Sequence, residues 1–525
     1  MSVAQFAIGR WLSNCSVERK RLLASSAVVT VLALVNGGLS YLVQVLLATH
    51  FGTKREMDAY LIAYALPLLI ATAVGDAVAI TFIPIFISHW SKAGKTEAWR
   101  LTNALVTLVF VALVLLAIGL GMGARECLTV MAPGLVGASR DLAIDLFRLL
   151  LPTSACLVLS GVLTGVNQAM HRFTQPALAP IMNAVTMLLC IAVLVPRMGI
   201  YGVALGTTLG AVARLFWLSP VLLESRNAGD YWGWRHPGMS QFWSMTLPLA
   251  FAGFAFKANI VIERFIASWM PEGQIASLGY AYQIVLLLAV LTSQGLGITL
   301  FPRMSHEAES GDLSRLGATL AVGMRWTLLI ITPIVAGVAV LREPIIRLLF
   351  QRGAFSVSSS HDTALALLGY LGAVYATGLA NLPSRAIMAV KDVWTVIRIG
   401  LAAAVLLVVL DLALAAWLGF VGLALAYSLM SAFTLGLWLR AVSKQFIDFN
   451  GKSVFSAGLS ALTAAVGMTA VCYFLQKLLL NSFPPTRIGI ALEIAVIGSI
   501  GCGVYLTLIA IFLRLRSMAE KAEVY

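Results

Sequence analysis

Several ionisable side chains lie within stretches of this 525-residue sequence that are otherwise apolar, and ten stand out: Asp76, Arg148, Arg214, Lys257, Glu263, Arg264, Arg325, Arg385, Arg398 and Asp411. Seven are basic and three acidic, so the set is net positive. Insertion scales put an ionised group at the centre of an apolar helix at a cost of at least ~2.5 kcal/mol, which makes each one a candidate for function. Arginine and lysine can take over the water around a phosphate or diphosphate, arginine as a planar fork and lysine as a point charge. A wet crevice lined by such side chains suits an anionic, phosphate-bearing group. Bond-making chemistry has no comparable support. The six His are scattered, no HExxH or GxSxG occurs, and no Gly-rich stretch carries a following Lys-Ser/Thr in the order of a phosphate-binding loop. Cys15, Cys127, Cys156, Cys190, Cys472 and Cys502 stand alone without ligand spacing to a His, and read as small core residues. No catalytic residue, metal ligand or cofactor is expected.

Each charge also has a plainer reading. Arg148, Arg325 and Arg398 stand within about two turns of an expected helix end, close enough to reach the interface on their own stems. Glu263 and Arg264 form a candidate rim pair near the outer end of their helix. Lys257 and Asp76 are deeper, and an ion pair between them across two lobes serves either as a structural lock or as part of a gate. Arg385 follows Pro383 in the stretch Asn381 to Arg385, which is expected to break the helix and line a cavity, since irregular backbone at depth is tolerated only there. Asp58, just after the first interhelical loop, is either a site residue or the cap of its own helix.

The elements that must hold these residues follow from composition. The chain is 60% hydrophobic and 11% charged, against roughly 25% charged in an average soluble domain. With lipid as the solvent every backbone amide must be bonded within its own segment, and the apolar runs do not alternate with period two, so they are helices. At roughly 20 residues per span, the fold class is an all-α polytopic membrane protein with about fourteen transmembrane helices. Ala79 to Pro84 matches Gly297 to Pro302 at an offset of 218, and Gly199 to Leu205 matches Gly419 to Leu425 at 220. The repeat is therefore parallel: two six-helix lobes in a pseudo-twofold arrangement, plus two C-terminal helices. The expected organisation is a cytoplasmic N-terminal segment 1–23, an N-lobe 24–225, a cytoplasmic linker 226–240, a C-lobe 241–442, a linker 443–454, the last two helices 455–513 and a cytoplasmic tail 514–525. Spans are expected near 241–268 and 274–301 at the head of the C-lobe. With the N-terminus cytoplasmic, that side collects nineteen loop Lys and Arg against ten opposite, so both termini are expected inside. The net charge of +13 thus reports topology, with no gathered basic face for nucleic acid.

Several stretches resemble the MurJ (MviN) family of lipid II flippases, within the superfamily of multidrug, oligosaccharidyl-lipid and polysaccharide exporters. They are Phe51-Gly52 with Met57-Asp58-Ala59-Tyr60, Ala132-Pro133-Gly134, Arg172 to Pro180, and Leu348 to Phe355. The resemblance implies two lobes around a central cavity, with the last two helices making a groove for a polyprenyl tail. It also implies an undecaprenyl-diphosphate-linked saccharide as substrate, carried across the bacterial inner membrane by alternating access. Membrane lipids and envelope-assembly proteins are the other expected partners. In the family, arginines of helices 1 and 2 and a Tyr-Ala-Asp-Arg stretch of helix 8 line the cavity. Here helix 1 has no Lys or Arg, the stretch after Pro67 reads Leu-Leu-Ile-Ala-Thr, and helix 8 reads Tyr280-Ala281-Tyr282-Gln283. The candidate cavity residues are Asp58, which matches a family site residue, with Asp76, Lys257, Arg264, Gln283 and Arg385. An exporter of an exopolysaccharide or other lipid-linked oligosaccharide is the alternative, and a cation-coupled multidrug exporter a further one that expects an acidic cavity. A non-transporting envelope scaffold is a reading from another class. Without an ATP site, transport is expected to be passive or coupled to an ion gradient or the membrane potential.

Overall fold

The computed structural model describes residues 28–225, 237–289, 295–446, 448–479, 482–484 and 486–522. The expected N-terminal segment with Cys15, residues 226–236 of the first linker and the last three residues of the tail lie outside the described residues. Every regular element among those described is helical. In order they are α1 Val28–Phe51, α2 Arg55–Ala93, α3 Lys95–Met122, α4 Ala124–Met131, α5 Ala138–Ala169, α6 Thr174–Met198 and α7 Ile200–Leu218, which runs into a 3-10 turn, Ser219–Ser225. Then come α8 Pro237–Lys257, α9 Asn259–Ala267, α10 Gln274–Ala289, α11 Gly295–Glu309, α12 Leu313–Phe350, α13 Val357–Ala389, α14 Val393–Leu418, α15 Phe420–Gln445, α16 Gly451–Leu478 and α17 Arg487–Ala522.

Thirteen of the described helical stretches are long and apolar enough to cross a membrane. The remaining expected span, near 274–301, falls on α10 and the start of α11, with residues 290–294 between them outside the described set. The span expected at 241–268 is divided into α8 and α9 by a turn at Ala258. The short helix α4 is one that a hydropathy window of membrane length does not single out.

Two compact units form. One holds the described residues up to Leu47 with Ala59–Arg264, and the other holds Ala48–Asp58 with the described residues from Phe265 onward. Helix counting places α8 at the head of the second repeat, yet its contacts put it in the first unit.

The repeat is visible in how each unit turns its last hairpin. Gly199 ends α6 and Gly419 ends α14, with φ of 57° and 58°, a left-handed conformation that disfavours a side chain. Three residues later, a Cβ on Gly202 would stand 2.8 Å from the carbonyl carbon of Leu194, and one on Gly422 would collide with the carbonyl of Leu414. The same Gly-x-x-Gly pair thus stops one helix and lets the next fold back against it, in both units. Lipid supplies no hydrophobic drive between such helices, so close backbone approach and dispersion carry the packing.

The first unit is filled by Phe82, Phe86, Trp99, Leu105, Val158, Val162 and Phe242, contributed by α2, α3, α5 and α8. Gly161 lets α5 close on α2, where an added Cβ would meet the Gly75 carbonyl at 3.2 Å. The second unit holds a core around Met304, Leu320, Leu382, Trp438 and Val442. A further cluster binds α16 and α17 to α12 through Leu341, Met468, Cys472, Ile497 and Tyr505, and the Tyr505 hydroxyl donates to the Leu329 carbonyl at 3.0 Å.

Candidate functional site

In the first unit α8 runs antiparallel along α2, and small or hydroxylated residues set the register. Gly238 packs against His89, the hydroxyls of Thr246 and Thr81 lie 2.6 Å apart, and a Cβ on Gly253 would meet Ala73 O at 3.2 Å. This seam is why α8 belongs to the first unit. It delivers Lys257, the last residue of α8, to the middle of α2. There the ammonium donates to Asp76 Oδ2 at 2.5 Å and to the Thr72 carbonyl at 3.1 Å. The backbone breaks at the next residue, although the Ala258 amide still reaches Phe254 O at 2.8 Å. The side chains of Lys257 and Asp76 are 34% and 68% exposed. The pair expected across two lobes therefore forms inside one unit, and it is an open pair with an ammonium hydrogen and a carboxylate oxygen left for a third group.

Arg264 pairs with its neighbour Glu263 at 3.3 Å on α9, with both side chains mostly covered. Deeper in the same unit, Tyr60 and Tyr64 of α2 stack with ring centroids 5.9 Å apart, and the Tyr60 hydroxyl lies 2.8 Å from Thr207 Oγ1 of α7. Arg214, one of the ten charges, stands beside Tyr64 with its Nε buried and without a hydrogen-bond partner. The tyrosines escape a search for charge. Their trace in the sequence is the repeat, since Tyr64 recurs as Tyr282 at the offset of 218.

In the second unit Asp58 is buried, and both its oxygens are taken by backbone. Oδ2 accepts from the Gly273 amide at 2.6 Å and Oδ1 from the Ala276 amide at 2.7 Å. It therefore caps α10, 215 residues away, where the sequence suggested a cap on its own helix α2. Four further hydrogen bonds tie down the same turn. Thr53 Oγ1 lies 2.7 Å from Ser359 Oγ, the Tyr280 hydroxyl donates to Gly52 O at 3.1 Å, the Ala354 amide donates to Thr49 O at 2.8 Å, and the Arg55 amide donates to Glu272 Oε1 at 3.1 Å. The Phe51-Gly52 and Leu348–Phe355 motifs thus meet in one knot.

Tyr282 lies edge-on to Tyr370 and Tyr427, whose centroids are 5.7 and 6.0 Å away, an arrangement aromatic quadrupoles favour. Gln283, the next residue on α10, is half-buried. Arg385 donates from Nε to Asn381 Oδ1 at 2.9 Å and stacks over Phe301 at 5.3 Å. The break expected from Asn381 to Arg385 does not occur. α13 continues through Pro383, because the missing amide at one position leaves the neighbouring turns bonded. The structure thus joins Asp76 to Lys257, gives Arg264 and Arg385 partners on their own helices, and seats Asp58 on the start of α10. Among the described residues no group of three or more His, Cys, Asp or Glu is placed to hold a metal ion.

Comparison with known proteins adds sequence and fold relatives. The family model described as lipid II flippase MurJ matches residues 47–488. A probable lipid II flippase MurJ of Vibrio cholerae is 23% identical over 87% of this chain and 90% of its own length. The lipid II flippase MurJ of Burkholderia cenocepacia is 23% identical over 79% and 85%. Among solved structures, a lipid II flippase MurJ in an inward closed conformation shares the fold with a TM-score of 0.79, at 22% identity over 93% of this chain and 98% of that one. An inward-facing multidrug transporter of the MATE family shares it at 0.69 and 14% identity, over 79% and 95%. The apolar helices make this a multi-pass protein of the inner membrane, and with most of its length matched by the family model the chain belongs to the lipid II flippase MurJ family.

Proposed function

We propose that this chain flips lipid II, an undecaprenyl-diphosphate-linked peptidoglycan precursor, from the cytoplasmic to the periplasmic leaflet of the bacterial inner membrane. Family membership over residues 47–488 carries this reading, and the Lys257–Asp76 pair supplies chemistry for it. An ammonium held by one carboxylate and one carbonyl in a partly exposed pair can exchange its carboxylate for another anion. A diphosphate carries more negative charge than Asp76 and offers more acceptor oxygens. Lys257 then passes from carboxylate to headgroup, and Asp76 takes it back on release. Alternating exposure of this site to the two leaflets moves the headgroup while the tail stays in lipid, without an enzymatic step.

Both termini are cytoplasmic in this reading. That places the Asp58 turn at the periplasmic face, where it is a structural latch, while Gln283, Arg264 and Arg385 contact the headgroup secondarily. The driving force is an ion gradient or the membrane potential, and cell-envelope assembly proteins are its partners. A second cargo, another lipid-linked oligosaccharide, is favoured by one feature: Tyr282-Gln283 stands where the family carries Asp-Arg, and Tyr282 joins a three-tyrosine cluster.

Depletion of the protein separates the two cargoes. Loss of periplasmic peptidoglycan precursor with intact polysaccharide export is expected. Loss of polysaccharide alone moves the chain to the second cargo, and retention of both outputs overturns flipping.

A further inference from the structure

A groove lies between α12, α13 and α16, away from Lys257 and Asp76 in sequence and in a different unit. It is an open cavity of about 650 Å3 in the second unit. Its two ends differ in chemistry. Val340, Leu368 and Val466 line one end, and Val466 is 70% exposed with no protein cover. Arg342, Tyr473 and Gln476 line the other. Along α16, Tyr473 and Gln476 lie about 10 and 15 Å beyond Val466, towards the helix terminus. The groove thus runs from depth to interface, apolar below and polar above, in the order of a membrane lipid's own parts.

The polar end holds Arg342 and Glu343. Arg342 donates from one terminal nitrogen to its own helix at Ala339 O, 2.6 Å away, while its Nε is buried without a hydrogen-bond partner. Its neighbour Glu343 does not neutralise it, because that carboxylate is met by Arg347 at 3.4 Å and His361 at 3.3 Å. A second cation, Lys477, one turn further along α16, sits 5.0 Å over the Tyr473 ring at the rim of the groove. Snorkelling alone explains the Ala339 contact next to Pro344, but leaves the buried Nε and the apolar slot beneath it without a role.

We infer that the groove holds an anionic glycerophospholipid of the bilayer, with its phosphate between Arg342 and Lys477 and one acyl chain along Val340, Leu368 and Val466. The sign of the charge selects an anionic headgroup. A cavity of about 650 Å3 has room for one acyl chain and a phosphate, the parts of a bilayer lipid. Bound there, the lipid bridges α16 to α12 and α13 and stabilises that seam. The site is separate from Lys257 and Asp76.

The test uses the purified full chain in detergent, with phosphatidylglycerol and phosphatidylethanolamine as probes, read by native mass spectrometry and thermal unfolding. Wild type is expected to retain phosphatidylglycerol selectively and to unfold at higher temperature with it. Arg342→Gln removes a charge-assisted contact and is expected to weaken binding about tenfold. Val466→Trp keeps every charge, fills the acyl slot and is expected to abolish the selective stabilisation. Arg148→Gln, an interfacial arginine of the first unit bonded to Gly121 O, is expected to behave as wild type. Wild-type affinity in both groove variants overturns the inference, as does equal retention of the two lipids by wild type. Should Arg342→Gln not fold, Val466→Trp decides, since position 466 faces lipid. Displacement of phosphatidylglycerol by the transported lipid-linked diphosphate also overturns a resident-lipid site, leaving the flipping assays unaffected.

Discussion

Lys257 Nζ lies 2.5 Å from Asp76 Oδ2, although 181 residues separate the two in sequence. The pair is half open, and the ammonium also holds the Thr72 carbonyl. Partly exposed pairs of this kind contribute only about 0.2–1 kcal/mol to stability, so a structural lock is a poor reason for placing two charges at this depth.

Variants of the pair separate lock from carrier. Asp76→Asn is expected to keep precursor flipping, with unfolding shifted by less than ~1 kcal/mol, because Lys257 remains for the headgroup. Lys257→Glu is expected to abolish flipping in a depletion strain, and adding Asp76→Lys, which restores the pair with reversed polarity, is expected not to rescue it. Rescue by the swapped pair would mark the residues as a lock and remove Lys257 from the site.

Asp58 is expected to matter through folding. Replacing it with Ala strands the Gly273 and Ala276 amides, which the carboxylate now holds at 2.6 and 2.7 Å. Loss of these charge-assisted bonds at a buried helix start is expected to destabilise by about 1–3 kcal/mol. Thermal unfolding in detergent measures it, and an unchanged midpoint in Asp58→Ala is incompatible with the cap.

The paired hairpins give a test of the repeat. Gly202→Ala and Gly422→Ala force a Cβ into the preceding helix, and each is expected to cost about 1–3 kcal/mol by overpacking. Gly436→Ala, on α15 with open space around it, is expected to be neutral or stabilising by up to ~1 kcal/mol because alanine favours helix. Equal effects at all three positions would contradict the packing.

Asp392 gives a pH dependence outside the membrane. It caps α14 by accepting from the Thr395 hydroxyl at 2.6 Å and the Thr395 amide at 3.1 Å, which hold its carboxyl below the usual carboxylate range. A carboxyl lowered by folding contributes stability above its unfolded value and loses it as pH falls through the folded one. The difference between wild type and Asp392→Asn is therefore expected to be full at neutral pH and to shrink in acid. A gap that stays constant down to the lowest pH at which the protein remains folded would assign the effect to packing.

Much of this protein is legible in its sequence because lipid leaves a chain few choices. Twenty apolar residues in hydrocarbon must form a helix, so the spans, the repeat and the intramembrane charges can be read before any coordinates. Hairpin glycines at 199, 202, 419 and 422 announce themselves for the same local reason. Partners are another matter. That α8 lies along α2, that Asp58 caps α10, that α13 continues through Pro383, and that Tyr282 meets Tyr370 and Tyr427 all depend on which helix faces pack. Hydropathy says how many residues face lipid; it does not say which faces meet, since in a bilayer that is settled by small-residue fit and hydrogen bonds between segments hundreds of residues apart.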